Sequence, residues 1–187
     1  HDSHHIGKIL INPENSDHIV IGVTGHLYSN NINRGVYVTK DGGENWNRTL
    51  YVDDLSGIID MSDTPGNFNV MYATSWEKDR KAWNFDEDGN SSGIYKSIDG
   101  GDNWSLISND ESGFPTGPGI GRIGLAVFDK NIVYAVVDNQ NFRESTEKEE
   151  DRGLTKESFI GMTLENFNKI STDDLKAFLR SNRFPSK

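Results

Sequence analysis

The sequence contains no cysteine, which excludes disulfides and thiolate metal sites. Basic residues are also in deficit, and the formal net charge of −10 argues against a nucleic-acid partner or an anionic membrane surface. No apolar run approaches the roughly 18 residues that a membrane-spanning helix needs. What remains is a chain with 19 glycines and 34% hydrophobic residues, a composition that favours a turn-rich, mostly β protein over a helical bundle.

Pairs of strand-like stretches recur three times in the first 140 residues. The first members are "IGKILINP", "SGIIDMS" and "GRIGLAVF", and the second members, which we align with one another, are "HIVIGV" from His18, "NVMYAT" from Asn69 and "NIVYAV" from Asn131. These β-branched and aromatic runs are typical of buried strands. In the first two units a third strand follows ("GVYVT", "GIYKS") and then a fourth, whereas the third unit is half complete. Four-stranded units at such spacing indicate propeller blades.

One motif, Ser/Thr-x-Asp-x-Gly-x-x-Trp, joins the third and fourth strands of both complete units. Its residues are Thr39, Asp41, Gly43 and Trp46 in the first copy and Ser97, Asp99, Gly101 and Trp104 in the second. A hairpin turn explains each position. The hydroxyl and the carboxylate accept backbone N–H groups, the glycine adopts a positive φ, and the indole covers apolar surface. A calcium loop would need a ligand where Gly43 stands, so no metal is predicted.

The two motifs resemble Asp-boxes, also called BNR repeats, which occur in sialidases, in xyloglucan-degrading glycoside hydrolases and in Vps10/sortilin propellers. Together with "DSHHIGKI", "LYVDD" and "PTGPGIGRIGLAV", they resemble a group of large bacterial proteins labelled sortilin-like or glycosyl-hydrolase-like, over about Asp2–Gln140. The resemblance implies a longer, exported parent (periplasmic, cell-surface or secreted). We therefore expect an all-β fold, a partial β-propeller of about two and a half four-stranded blades, over residues 1–141. The remaining blades, or other copies of the chain, are expected partners.

The character of the sequence changes after residue 141. A charged linker is predicted at 142–153 and a short α-helical insertion at 154–187. Thr155, Thr163 and Ser171 are candidate N-caps, and Ser171 with Asp174 resembles a capping box. One apolar stripe is predicted on the last helix: Leu175, Phe178 and Leu179. The insertion has two interpretations, a cover for a sheet edge or a docking element for a partner.

The long connection from Ser75 to Gly93 is the candidate binding region. It carries Trp76, Arg80 and Trp83, and aromatic rings beside charges suit a carbohydrate or a peptide. Arg122, in a strand of the third unit, is the fourth candidate. The alternative is that both tryptophans only pack the loop onto its blade.

Several carboxylates lie outside the two motifs, but their spacing selects no catalytic pair, so catalytic residues stay unknown. They are Asp53, Asp54, Asp60, Glu77, Asp79, Asp86 and Asp88. The leading hypothesis is a non-catalytic binding or scaffold segment that recognises a peptide, protein or glycan, without a cofactor. The alternative is part of a glycoside hydrolase whose active site is completed elsewhere in the parent; a third possibility is a purely architectural segment.

Two further motifs predict no site. The run "HDSHH" contains His4 and His5, which on a strand would point to opposite faces; one buried and one exposed histidine are expected. His26 lies at a strand end and could join a site on the top face of the blades. "GIGRIG", Gly119–Gly124, matches the dinucleotide fingerprint by letter only, because a proline-glycine loop precedes it and a strand follows it.

Overall fold

A computed structural model describes residues 3–141, 153–182 and 184. The chain divides into two compact units, with the division after Phe142. The predicted charged linker, residues 142–153, lies outside the described residues except for Gly153. No helix in the described part of the chain has the length and apolar character needed to cross a bilayer.

The first unit is built from antiparallel strands. The first sheet, in spatial order, contains β1 (Ile6–Ile11), β2 (Ile19–Val23), β3 (Gly35–Thr39) and β4 (Asn47–Leu50). Next in the chain come β5 (Ser56–Thr64), β6 (Asn67–Glu77), β7 (Asp79–Arg80), β8 (Phe85–Asp86), β9 (Gly93–Ser97) and β10 (Ser105–Leu106). The second sheet has the order β10-β9-β6-β5, and β7 pairs with β8 in a small hairpin. The third sheet pairs β11 (Ile120–Val127) with β12 (Val133–Asn139). The predicted mostly-β class and the two four-stranded units are confirmed.

Two details of the predicted strands are wrong. In the first sheet Ile19 pairs with Thr39, and in the second Met71 pairs with Ser97, so His18 does not align with Asn69 as predicted. The predicted alignment is one residue out, because Ile19–Val23 and residues 70–73 contain only apolar residues and glycine, and nothing in these stretches fixes the register. The candidate loop also begins later than predicted, since β6 continues to Glu77.

The hydrophobic core lies between successive sheets. The first cluster combines Leu10, Val20, Val36 and Val38 of the first sheet with Ile58, Met61, Phe68, Met71 and Ala73 of the second. The second cluster combines Tyr72 and Ile94 with Ile120 and Ile123 of the third sheet. Because side chains alternate along a strand, β6 contributes Met71 and Ala73 to one cluster and Tyr72 to the other. The second sheet is therefore buried on both faces.

The strands at the inner edges approach closely. A Cβ at Gly57 would lie 2.4 Å from the carbonyl oxygen of Thr24, so only glycine fits there. Asp60 links all three sheets, because its carboxylate lies 3.3 Å from Lys8 Nζ and accepts the backbone N–H of Leu125 at 2.9 Å.

The second unit contains a 3-10 turn (Glu157–Phe159) and two α-helices, α1 (Leu164–Phe167) and α2 (Thr172–Ser181). Thr163 and Ser171 cap the helices as predicted, accepting the backbone N–H groups of Asn166 and Asp174. Thr155 caps no helix, so that prediction is wrong; the 3-10 turn starts after Lys156, without a side-chain cap. The ring of Phe159 contacts those of Phe167 and Phe178, at centroid distances of 6.4 and 4.8 Å.

Candidate functional site

The first Asp-box turn is held by its own side chains. Thr39 Oγ1 donates to Asp41 Oδ1 at 2.7 Å and accepts the N–H of Gly43 at 3.0 Å. Asp41 also accepts the backbone and side-chain N–H groups of Asn45, at 2.9 and 2.7 Å. The indole N–H of Trp46 donates to the carbonyl of Gly43 at 3.0 Å. These hydrogen bonds from Asn45 and Thr39 lower the pKa of Asp41 to about 2.

The second box repeats this arrangement. Ser97 Oγ donates to Asp99 at 2.8 Å and accepts the N–H of Gly101 at 2.9 Å, and Trp104 Nε1 donates to the Gly101 carbonyl at 2.9 Å. Gly101 has a φ of +92° and Gly43 a φ of +101°, as the turn interpretation requires. Hydrogen bonds from Asn103 lower the pKa of Asp99. Both carboxylates are thus occupied within their own turns, which is the geometry of a structural element.

The candidate binding surface is centred on Trp76, near the end of β6. The indole N–H donates to the carbonyl of Glu87 at 2.7 Å, and the ring meets that of Phe85 edge to face, with 6.0 Å between centroids. Two cations flank the ring: Lys78 Nζ lies 5.8 Å and Arg122 Cζ 6.0 Å from its centroid. We call Trp76, Lys78, Arg80, Phe85 and Arg122 the Trp76 cluster.

The arginines of this cluster contact rings. Arg80 Cζ lies 4.9 Å from the Phe85 centroid and 5.8 Å from that of Tyr28. Within the described residues, no carboxylate lies within salt-bridge distance of Arg80 or Arg122. A guanidinium carries five N–H donors and no acceptor, so these two groups keep donors for an external acceptor.

Lys78 is the buried cation of the cluster, with 4% of its surface exposed. Its Nζ donates to the carbonyls of His26, at 3.2 Å, and Leu27, at 3.5 Å. The fully buried Arg34 donates to the same His26 carbonyl at 3.0 Å and to the Thr24 carbonyl at 2.6 Å. Burial, reinforced by the nearby charges of Arg34 and Arg80, lowers the pKa of Lys78 to about 8. Burial also lowers the pKa of Arg34, although Asp53 and Asp54 oppose this effect.

A cavity of about 270 Å³ adjoins Trp76 and Lys78. The side chains of Ile6, Leu27 and Ile59 form much of its apolar wall, and Thr24 and His5 also line it. Pockets for drug-sized ligands start at about 300 Å³, so this volume suits one small group of a larger ligand.

Three of the four predicted binding residues lie together: Trp76, Arg80 and Arg122. Trp83 differs from them, since it is 85% exposed in the turn between β7 and β8. Among the described residues it has no ring or cation contact with the cluster. Sequence reasoning missed Lys78, Arg34 and Tyr28. The one available signal was that Lys78 lies two residues after Trp76, at the end of a strand.

The histidines are arranged differently from the prediction. His4 and His5 are both exposed, so the expectation of one buried histidine is wrong. His4 has a φ of +57° and β1 begins only at Ile6, so the alternation of a strand does not apply to it. Its ring meets that of His26 at a centroid distance of 3.8 Å. In the part of the chain that the structure describes, no group of three or more His, Cys, Asp or Glu side chains could hold a metal.

All seven carboxylates considered for catalysis accept hydrogen bonds within the fold. Asp53 accepts the N–H groups of Leu55 and Ser56, Glu77 that of Ser91, and Asp88 that of Gly119. The other four carboxylates have side-chain partners: Asp54 binds Asn30, Asp60 binds Lys8, Asp79 binds Lys81 and Asp86 binds Asn84. Asp60 also accepts backbone N–H groups. Burial would raise the pKa of Asp53, but hydrogen bonds from Ser91 and Ser56 outweigh it and lower the pKa.

No protein-family model matches this chain, and no curated protein matches it significantly.

Proposed function

We propose that this chain is a segment of an exported Asp-box β-propeller and serves as a non-catalytic binding module. The Trp76 cluster is its binding surface, and the ligand is a glycan or peptide that carries an acidic group. The observation that carries this proposal is the pair of guanidinium groups, Arg80 and Arg122, which contact aromatic rings and have no carboxylate partner among the described residues.

The propeller part of the proposal is supported by the order of the sheets. Three antiparallel sheets follow one another in chain order, and each hydrophobic cluster joins one sheet to the next. Both complete sheets place an Asp-box between their last two strands. Repeated four-stranded units that pack face to face are the building plan of a propeller.

The ligand chemistry follows from the cluster. A guanidinium can bind a carboxylate through two parallel N–H···O bonds, and an indole supplies a flat apolar surface for a sugar or side chain. Lys78 adds positive charge beside the cavity. In a chain of net charge −10, two unpaired guanidinium groups make this surface locally favourable for an acid.

Hydrolysis by this segment is less well supported. A glycosidase needs a carboxyl pair that faces the scissile bond, with one member able to donate a proton. The seven carboxylates are instead engaged in turns, strand ends and ion pairs, and the pKa of Asp53 is lowered rather than raised.

Isothermal titration calorimetry would test the binding proposal. Galacturonic acid oligomers would be compared with their methyl esters, and acidic peptides with the same peptides carrying Asn and Gln. We expect tighter binding of the charged member in at least one pair. The Arg122→Gln variant should bind that ligand with at least tenfold lower affinity. The matched control is Trp83→Ala, which removes an exposed aromatic ring without touching the cluster and should bind normally. Equal affinity within every pair, or full binding by Arg122→Gln, would contradict the proposal.

A further inference from the structure

A groove of about 420 Å³ lies between the second sheet and β12. Tyr72, Ile94 and Lys96 line it from the second sheet, Ile107 from just after β10, and Val133 and Ala135 from β12. This groove is separate from the cavity beside Trp76, with which it shares no lining residue.

The internal repeat identifies the corresponding place on the first sheet. Ile19 pairs with Thr39 as Met71 pairs with Ser97, so the next residue, Val20, corresponds to Tyr72. The same logic matches the strands before and after the boxes. Val38 corresponds to Lys96, and Thr49, three residues after Trp46, corresponds to Ile107, three residues after Trp104.

On the first sheet this place is occupied by the second Asp-box turn. A Cβ on Gly101 would lie 3.3 Å from both Val20 and Val38. Trp104 Nε1 donates to Thr49 Oγ1 at 3.2 Å, and His18 Nε2 lies 2.9 Å from the carbonyl oxygen of Gly100. An ion pair between Lys40 and Asp102 also joins the first box to the second. The box of one sheet therefore packs onto the sheet before it.

On the second sheet no described residue of the first unit occupies the equivalent place. Ile98, which corresponds to Lys40, is 72% exposed, and Ile107 is 36% exposed. Among the described residues β12 pairs with β11 alone, whereas β2 and β6 each have a neighbouring strand on both sides. The groove thus combines an open strand edge with an apolar surface of the type that already accepts a box.

We propose that this groove binds an extended strand that leads into an Asp-box turn. The strand pairs with β12 through backbone hydrogen bonds, and the turn lies over Tyr72, Lys96 and Ile107. Addition of a strand to an open sheet edge gives affinity through the backbone, and the groove gives specificity through the side chains. The partner is a segment of the chemistry of residues 92–108 of this chain, Ser/Thr-x-Asp-Gly-Gly-x-x-Trp preceded by a β-strand.

A labelled peptide with the sequence of residues 92–108 would test this by fluorescence anisotropy against the intact chain. We expect saturable binding, and at least tenfold weaker binding of a peptide that carries both Ser97→Ala and Trp104→Ala. In the protein, Ala135→Arg fills the groove and should abolish binding. Val136→Arg is the matched control, because Val136 is the adjacent exposed residue on the opposite face of β12. Circular dichroism would verify that both variants fold.

Three outcomes would overturn the proposal. The first is no saturable binding of the native peptide up to about 1 mM, an affinity of about −4 kcal/mol. The second is an equal effect of Ala135→Arg and Val136→Arg. The third is self-association in sedimentation velocity that Ala135→Arg removes and the peptide fails to displace, since the occupant would then be a folded second copy.

Discussion

Lys78 offers a direct measurement of how much a buried cation destabilises this fold. Only 4% of the Lys78 surface is exposed, and its Nζ donates to two backbone carbonyls, with no carboxylate within salt-bridge distance among the described residues. Replacing it by Met in Lys78→Met retains most of the stem and removes the titrating group. The comparison of interest is the difference in free energy of unfolding between wild type and variant as a function of pH.

The magnitude follows from the two pKa values of Lys78. The ordinary value is 10.5 and the folded-state value is about 8. Between these limits the unfolded chain binds the proton more tightly than the folded one, so the wild type gains stability as the pH rises. At 1.36 kcal/mol per pKa unit, the gain across the window is about 3 kcal/mol, most of it between pH 8 and pH 10. Below pH 8 the charged lysine destabilises the fold by the same amount.

Urea denaturation followed by tryptophan fluorescence at several pH values between 7 and 10.5 would measure this difference. The other titrating groups are common to both proteins and largely cancel. Lys130→Met, in the turn between β11 and β12, controls for the loss of one positive charge at an exposed position. A difference between wild type and Lys78→Met that stays constant within about 0.5 kcal/mol over this range would refute the reasoning.

Three further predictions concern the turns and the exposed loop. Thr39→Val and Ser97→Ala each remove a buried hydroxyl that accepts a glycine N–H, so each should lower the free energy of unfolding in urea by about 1–3 kcal/mol; unchanged midpoints would contradict the structural role of the boxes. Gly101→Ala places a Cβ at a φ of +92° against packed side chains and should lower the thermal midpoint, and a midpoint within 1 °C of wild type would argue against this strain. Trp83→Ala should change the free energy of unfolding by less than about 0.5 kcal/mol, because the ring is 85% exposed; a larger loss would mean that it packs on the fold.

The sequence predicted the local features of this fold well. The apolar strand runs and the box pattern depend on residues close together in the chain, and within a box the hydrogen bond between Thr39 and Gly43 can be inferred from spacing. The one-residue error in aligning the units arose where the pattern carries no such anchor. In "HIVIGV" every position from Ile19 to Val23 is apolar or glycine, and a shift of one residue leaves the run equally hydrophobic.

The candidate site was less predictable because its members come from distant parts of the chain. Arg122 reaches Trp76 only because the third sheet packs on the second, and Lys78 reaches the His26 carbonyl only because the second packs on the first. Arg34 and Lys78 have backbone carbonyls as partners. Because a carbonyl is present at every residue, no pattern of side chains in the sequence predicts these contacts. Trp83 has the right residue type at the right place in the loop, but its turn leaves it exposed.

The two Asp-boxes have the same internal hydrogen bonds but different surroundings, and this difference separates two roles of the motif. Trp46 is 38% exposed, whereas Trp104 packs against the first core cluster and donates to Thr49 of the preceding sheet. The internal bonds are therefore sufficient to form the turn, since the first box forms them without a sheet to cover its indole within the described residues. Packing of a box against the preceding sheet is a separate feature, and it depends on which side chains that sheet exposes to the box. The motif then acts first as a turn and second as a docking element, and this second role is the one that the proposed binding of a further box in the groove beside β12 would use.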